Sequence, residues 1–471
     1  MATLALRTRK PYRGRVPGAG FFTASALRRA LALLAVMLLA LASSGCMMFS
    51  LRGQLAQMST ACSIAGTLAD DGGAAGPYVV ALLHDDAAAS DAAQPAWRQV
   101  DYFVMEREGA WGFIVGPGNY GLAAFRDSNG NFRHDAGEPL LTFDPGSSMS
   151  CSAGKVFADI ALRVPAEATP GAATAIGLPT LGQLRPRPAV DRPAVSGGQL
   201  LSFGDVTTLE DARFDPEIAA ASSWRPLDFI LAGRSGLYLL EPYDPDKIPV
   251  VFVHGINGSP RDFSALVGQL DRKRFQPWVF SYASGLGLDT TVDILTSTML
   301  ELELHYQVKR FHLVAHSMGG LVARGFLLRR AERNAPAEVP LFISLSTPWG
   351  GHEAALRGIT SSPVVVPVWR DIVPGSSYLR ELFYTGQEAG AQVQFLPAGT
   401  RHHLLFTYGG GNTLGRANDG VVTVASELAA EAQTQAERIY GFDDSHAGIL
   451  SNLEAMKTVN LLLAGDGAPL R

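Results

Sequence analysis

Cysteine is scarce in this chain: three residues in 471, at Cys46, Cys62 and Cys151. All three lie in the first third, so the rest of the chain spells out neither a thiol nucleophile nor a cysteine cage for a metal. Also missing is an apolar run long enough to cross a bilayer as a helix. The run Ala30 to Ala42 falls well short of the ~20 residues that a span needs. A basic surplus is absent too, with 39 cations against 44 acids. Seven of those cations (Arg7, Arg9, Lys10, Arg13, Arg15, Arg28 and Arg29) fall in the first 45 residues, which hold no acid. Without that segment 32 cations face 44 acids, a formal charge of −12, and nucleic acid is not expected as a partner.

What is present begins with an export signal over residues 1–45: a charged region, a short apolar core and the small residues Ser43, Ser44 and Gly45. Cys46 directly after them resembles the lipobox of bacterial lipoproteins. The resemblance implies lipid attachment at Cys46 and a membrane-anchored protein of the bacterial cell envelope. Ser43 stands where that motif usually has Leu, and ordinary cleavage followed by soluble secretion is the alternative. Residues 46–61 read as a tether.

Residues 62–163 read as β. Alternating or apolar runs (Tyr78 to Leu83, Val100 to Met105, Trp111 to Val115, Tyr120 to Phe125, Val156 to Val164) are separated by Gly, Pro, Asn and Asp, which predicts a small all-β sandwich. Cys62 lies in its first strand and Cys151 just before its last, so in an oxidising compartment a disulfide would tie its ends together; two independent thiols are the alternative. Gly116-Pro-Gly-Asn-Tyr-Gly-Leu122 and Asp127-Ser-Asn-Gly-Asn131 resemble transthyretin-like or carboxypeptidase-regulatory-like sandwich modules. Asp127, Asn129, Asn131, Asp135 and Glu138 fall at the spacing of a calcium loop, although Phe132 stands where the sharp-turn Gly belongs. A polar hairpin loop is the plainer reading of the same residues.

Residues 164–198 are rich in Pro, Ala, Gly and Thr and read as a linker. From 199 to 471 the pattern becomes strand, turn, helix, after a lead-in of short elements such as Gly236 to Leu240. The expected strands are Val250 to His254, Trp278 to Tyr282, Phe311 to Ala315, Leu341 to Leu345, Leu404 to Tyr408 and Arg438 to Tyr440. The expected helices are Pro260 to Leu270, Thr290 to Tyr306, Met318 to Arg330, Ala425 to Gln435 and Ala447 to Leu463. Several strands are almost continuously apolar, as they are when both faces of a mainly parallel sheet are covered.

The stretch Phe311-His-Leu-Val-Ala-His-Ser-Met-Gly-Gly-Leu-Val-Ala323 is a buried strand turning into a helix with Ser317 at the bend, flanked by small Ala315 and Gly319. That is a nucleophile elbow. A serine hydroxyl needs a base, and the base needs an acid to fix its tautomer. In the α/β-hydrolase fold the order is serine, acid, histidine. His352, His402 and His403 precede the best acid, so His446 is the expected base. Asp419, in a Gly-rich loop after a strand, is the expected acid, with Asp443 and Asp444 as fallbacks. His316 is expected to point away from the elbow in a structural role. Backbone N–H groups of Met318 and, in the loop after Val250 to Val253, of Ile256 are the expected oxyanion hole, with His254 bracing that loop.

These stretches together resemble the lipase and esterase branch of the α/β hydrolases. His254-Gly-Ile-Asn-Gly-Ser-Pro260 and Ala315-His-Ser-Met-Gly319 look like bacterial lipases whose elbow begins with Ala. Ser346-Thr-Pro-Trp-Gly-Gly351, Asp419-Gly-Val-Val422 and His446 look like GPI-inositol-deacylase-like hydrolases. Residues 348–402, outside the core pattern, read as a cap whose apolar character suits an acyl or lipid-like ester; ordinary packing of an inserted helix against the sheet is the alternative. The resemblance implies a serine hydrolase needing no metal or organic cofactor. An amidase, thioesterase or acyltransferase on the same triad, or a non-catalytic surface-binding lipoprotein, are the alternatives.

Overall fold

The computed structural model describes residues 47–465 except 59–60, 74–76, 86–96, 106, 131–133, 142–147, 153–154, 169–200, 334, 387–390 and 412–414. The proposed signal, Cys46, Asn131 and most of the 164–198 linker lie outside the described residues. Among the described residues no helix is long and apolar enough to cross a membrane.

Residues 62–164 form two small sheets. One has the order β4 (Gly109–Val115), β1 (Cys62–Asp70), β8 (Val156–Val164). The other runs β3 (Trp97–Met105), β2 (Tyr78–Asp85), β5 (Gly118–Arg126), β6 (Leu140–Leu141), with β7 (Met149–Cys151) also on β5. Cys62 and Cys151 are joined by a disulfide. Tyr78, Val80 and Leu82 face the partner sheet in one apolar core with Ile64, Phe113 and Tyr120. The alternate residues Val79, Ala81 and Leu83 are also buried, against Leu300 and Leu304 of the helix Leu288–Tyr306. β2 is therefore covered on both faces, which is why its sequence is apolar throughout rather than alternating.

In the proposed calcium loop the carboxylates are taken by the loop's own amides. Asp127 Oδ1 accepts from Asn129 N (3.3 Å) and Gly130 N (2.8 Å), and Glu138 from Ser128 N (2.7 Å) and Asp135 N (3.0 Å). This is the bonding of a polar turn. Among the described residues no group of three or more His, Cys, Asp or Glu could hold a metal ion.

The second half is built on an eight-stranded sheet in the order β18 (Arg438–Phe442), β17 (Arg401–Thr407), β14 (Glu338–Leu345), β13 (Arg310–His316), β11 (Ile248–Val253), β12 (Phe275–Ser281), β10 (Ser235–Leu239), β9 (Leu201–Val206). From β18 to β12 every pairing is parallel, and only β12 with β10 is antiparallel. The lead-in thus supplies two strands of the sheet. Along β11, Val251 and Val253 pack with the helices Leu288–Tyr306 and Met318–Arg333, while Val250 and Phe252 pack with Phe263 and the helix Leu453–Ala464 on the other face. Period-two alternation between two apolar layers reads as one continuous apolar run.

Three expected helices are broken. Pro260 to Leu270 splits into a 3-10 turn, Pro260–Phe263, and the helix Ser264–Gly268; Ala425 to Gln435 splits into Val424–Glu427 and Ala430–Gln435. Ala447 to Leu463 becomes the turn Gly448–Leu450 and the helix Leu453–Ala464, restarted at Asn452, whose side chain accepts from Glu454 N and Ala455 N, each at 3.0 Å. A capping side chain outweighs helix propensity at such a point.

Two further segments join the same core. In the proposed tether, Leu51 is fully buried and Gln54 Oε1 accepts from Leu227 N at 3.0 Å, capping the helix Pro226–Leu231. In the proposed cap, the helices Glu353–Ser361, Pro367–Ile372 and Ser377–Glu381 and the hairpin β15 (Tyr384–Thr385) with β16 (Gln392–Val393) precede β17, and Val368, Ile372, Tyr378 and Phe383 enter the core.

Candidate active site

At the end of β13 the chain turns from strand to helix within one residue. Ser317 takes a left-handed φ of 53°, its N–H donates to Leu345 O at 2.8 Å, and its C=O accepts from Gly320 N. The turn is possible because the following residues lack bulk: a Cβ on Gly319 would lie 2.3 Å from Val253 O. Asn257 (φ 57°) and Ser346 (φ 48°) are two more non-glycine residues in this strained region, and both lie in loops leaving the ends of neighbouring strands. Backbone strain gathers where a site is being shaped.

The three expected triad residues meet at the ends of β13, β17 and β18. His446 Nε2 is 2.8 Å from Ser317 Oγ, and His446 Nδ1 is 2.5 Å from Asp419 Oδ2. With Asp419 as acceptor, Nδ1 carries the proton and Nε2 is free to accept one from the serine. The loops are also stitched through backbone, His446 N donating to Asp419 O at 2.9 Å. Ser317 and His446 are 5% and 8% exposed and Asp419 is fully buried. Burial acts to raise the Asp419 pKa, but the His446 hydrogen bond and charge, with the Val422 and Val421 N–H donors to Oδ1, hold it down at about 2. The carboxylate stays ionised across the working range. Asp444 instead accepts from Ser445 N and Asn452 Nδ2.

The opposite wall is the loop after β11. Gly255 runs against the nucleophile: a Cβ there would lie 2.8 Å from Ser317 Cβ. Among the described residues, neither the Ile256 N–H nor the Met318 N–H donates to a backbone or side-chain acceptor. The loop is held by Asn257, whose N–H donates to Ser284 Oγ at 3.0 Å and whose Oδ1 accepts from Ser223 Oγ at 2.5 Å. His254 stacks on Tyr282 at 4.1 Å, bonds Gly255 O through Nδ1 at 2.9 Å, and is pushed down to about 4 by burial.

His316 departs from expectation. Its ring lies 4.9 Å from that of His446, and its Nε2 donates to His446 O at 2.9 Å. The sharp turn at Ser317 swings the last strand residue alongside the site instead of away from it. Burial above all, with the nearby His446 second, pushes His316 down to about 3, so it is neutral and braces the base. His402 is buried elsewhere, bonded through Nε2 to Ser344 Oγ at 2.8 Å.

Of three residues behind the acid, Thr407 and Glu427 carried no sequence signal, and Ser346 was legible only as the start of the motif Ser346 to Gly351. Thr407 Oγ1 donates to Asp419 Oδ2 at 3.1 Å and lies 2.7 Å from Ser346 Oγ, and Thr407 N donates to Glu427 Oε2 at 3.1 Å.

Residues 244–392 match the family described as "Putative serine esterase (DUF676)". A comparison with curated proteins finds no match. Among solved structures, the chain is similar to a Bacillus licheniformis lipase in its mature form (18% identity, 49% of this chain and 97% of that one, TM-score 0.37). It is also similar to the product of a Listeria innocua gene (14%, 46% and 94%, TM-score 0.35) and to Aspergillus fumigatus lipase B (14%, 56% and 60%, TM-score 0.36). The mainly parallel sheet and the elbow at Ser317 give the second half of the chain an α/β-hydrolase fold, and within it residues 244–392 are similar to the serine esterase family.

Proposed function

We propose that this protein is an exported serine esterase, anchored to the bacterial cell envelope through a lipid on Cys46, that cleaves lipid-like acyl esters through an acyl-enzyme. The observation that supports it most directly is the unbroken relay from Ser317 Oγ through His446 to Asp419, at 2.8 and 2.5 Å. Ser317 attacks the ester carbonyl as His446 Nε2 takes its proton, and Asp419 steadies the imidazolium. The tetrahedral oxyanion takes two N–H groups, Met318 at the start of the helix and Ile256 beside Gly255. His446 then protonates the leaving alcohol, and water, activated by the same base, releases the acid.

Hydrolysis of p-nitrophenyl esters of graded chain length by the mature protein, beside Ser317→Ala and with fluorophosphonate labelling, tests the chemistry. Loss of turnover and labelling together in the variant is expected, with a preference for the longer chains. A native protein that labels at Ser317 but turns over no ester would overturn the substrate assignment. Radiolabelled fatty-acid incorporation that is absent in Cys46→Ser tests the anchor.

A further inference from the structure

Glu427 is a carboxyl group that the mechanism above does not use. It ends the short helix Val424–Glu427, is fully buried, and accepts at Oε2 from Thr407 N at 3.1 Å. No N–H or O–H group among the described residues donates to its buried Oε1. Thr407 joins it to the acid: its N–H reaches Glu427 Oε2, and its Oγ1, 2.7 Å from Ser346 Oγ, donates to Asp419 Oδ2 at 3.1 Å. Two carboxyl groups can share a hydrogen bond only if one of them keeps its proton. The environments decide which one. Asp419 faces His446 and three further donors, whereas Glu427 receives the Thr407 N–H and no donor at Oε1.

We propose that Glu427 is a positioning residue for the acid of the triad: as a protonated carboxyl it donates a hydrogen bond to Asp419 and, with Thr407, pins the carboxylate that orients His446. The proton remains on Glu427 throughout turnover. This inference rests on the triad reading above. The electrostatics agree with the geometry, since burial first and the Asp419 charge second push the Glu427 carboxyl up to about 10. Of the groups that face it, Asp419 is charged, Thr407 and Ser346 are neutral, and His446 lies beyond Asp419. Ionisation of Glu427 at high pH would therefore set a second negative charge against Asp419 and disturb the loop that carries it.

The test is the pH dependence of kcat and KM for a p-nitrophenyl ester between pH 7 and 10.5, with the Ser317→Ala rate subtracted, for wild type, Glu427→Gln and Glu427→Leu. Glu427→Gln keeps a neutral donor, so its kcat should stay within about threefold of wild type. It should also lack the fall that wild type shows near pH 10. Glu427→Leu leaves Thr407 N–H unpaired and Asp419 unsupported, and should lose about tenfold in kcat with KM unchanged, because neither group touches substrate. A Glu427→Leu enzyme that melts cooperatively with wild-type kcat, or a Glu427→Gln profile whose alkaline limb superimposes on wild type, would overturn the proposal. If Glu427→Leu does not fold, the alkaline limb of Glu427→Gln still decides. Failure of the triad reading is a separate result: Ser317→Ala would then turn over at the wild-type rate whatever the Glu427 variants do.

Discussion

Acid should unfold this protein from within, through its buried imidazoles. His254, His316 and His402 are 1%, 6% and 2% exposed, and burial is the largest cause that pushes them down, to about 4, 3 and 3. Each is folded as a neutral ring with a specific bonding role: His316 donates to His446 O, His402 bonds Ser344 Oγ, and His254 accepts from Tyr282 N at 3.4 Å. Their folded values lie below the unfolded value of 6.5, so the unfolded chain binds protons first. The stability they contribute is complete above pH 6.5 and is lost as pH falls toward 4 and 3. At about 1.4 kcal/mol per pH unit, each ring forfeits about 2 kcal/mol by pH 5, or about 6 kcal/mol for the three together. That is comparable with the whole stability of a typical domain, about 5–15 kcal/mol. Denaturant unfolding followed by near-ultraviolet circular dichroism at pH 8, 7, 6 and 5, at fixed ionic strength, reads the effect. His402→Asn should remove about a third of the loss, since the other two rings remain. A free energy of unfolding that stays constant within about 1 kcal/mol between pH 7 and 5 would refute the reasoning.

Three further outcomes follow from the geometry. In Gly255→Ala the added methyl would lie 2.8 Å from Ser317 Cβ and 3.3 Å from its Oγ; kcat should fall about a hundredfold with little change in Tm, and a loss under twofold would refute the close approach. Asp419→Asn puts an amide against His446 Nδ1 and should lower kcat by about 10³–10⁴ by favouring the wrong tautomer, measured as single-turnover acylation; a loss under tenfold would mean that another group orients the base. Reducing the Cys62–Cys151 disulfide opens a loop of 89 residues, which on chain-entropy grounds removes about 4–5 kcal/mol. Because β2 and the helix Leu288–Tyr306 share a core, reduction should lower one cooperative calorimetric transition; a separate early transition from the β-module alone would count against that coupling.

Most of the strands were legible, for a local reason. A parallel strand buried on both faces is nearly all apolar, and Val250 to Val253 is wholly so, as is Leu341 to Leu345 but for Ser344, whose hydroxyl is bonded to His402. Helix continuity was less so, because a run such as Ala425 to Gln435 shows helix formers throughout while the backbone leaves helical geometry at Leu428 and Ala429, where ψ is 40° and 139°. His316 was misread in direction for a related reason: alternation along a strand holds only while the strand continues, and β13 ends at that residue.

The sequence by itself determined the class of protein. Small residues around Ser317, the Gly255 loop and the run of covered strands are local requirements of an elbow and a parallel sheet, and local requirements leave a mark on composition and spacing. The tertiary structure decided everything that depends on which surfaces meet. It brought positions 317, 419 and 446 within hydrogen-bond reach from three strand ends, packed Leu51, Leu55 and the β-module against the hydrolase core, and joined Glu427 to the acid through Thr407. No pattern along the chain could have foretold these, because a buried strand face or a lone glutamate looks the same in sequence whatever comes to cover it.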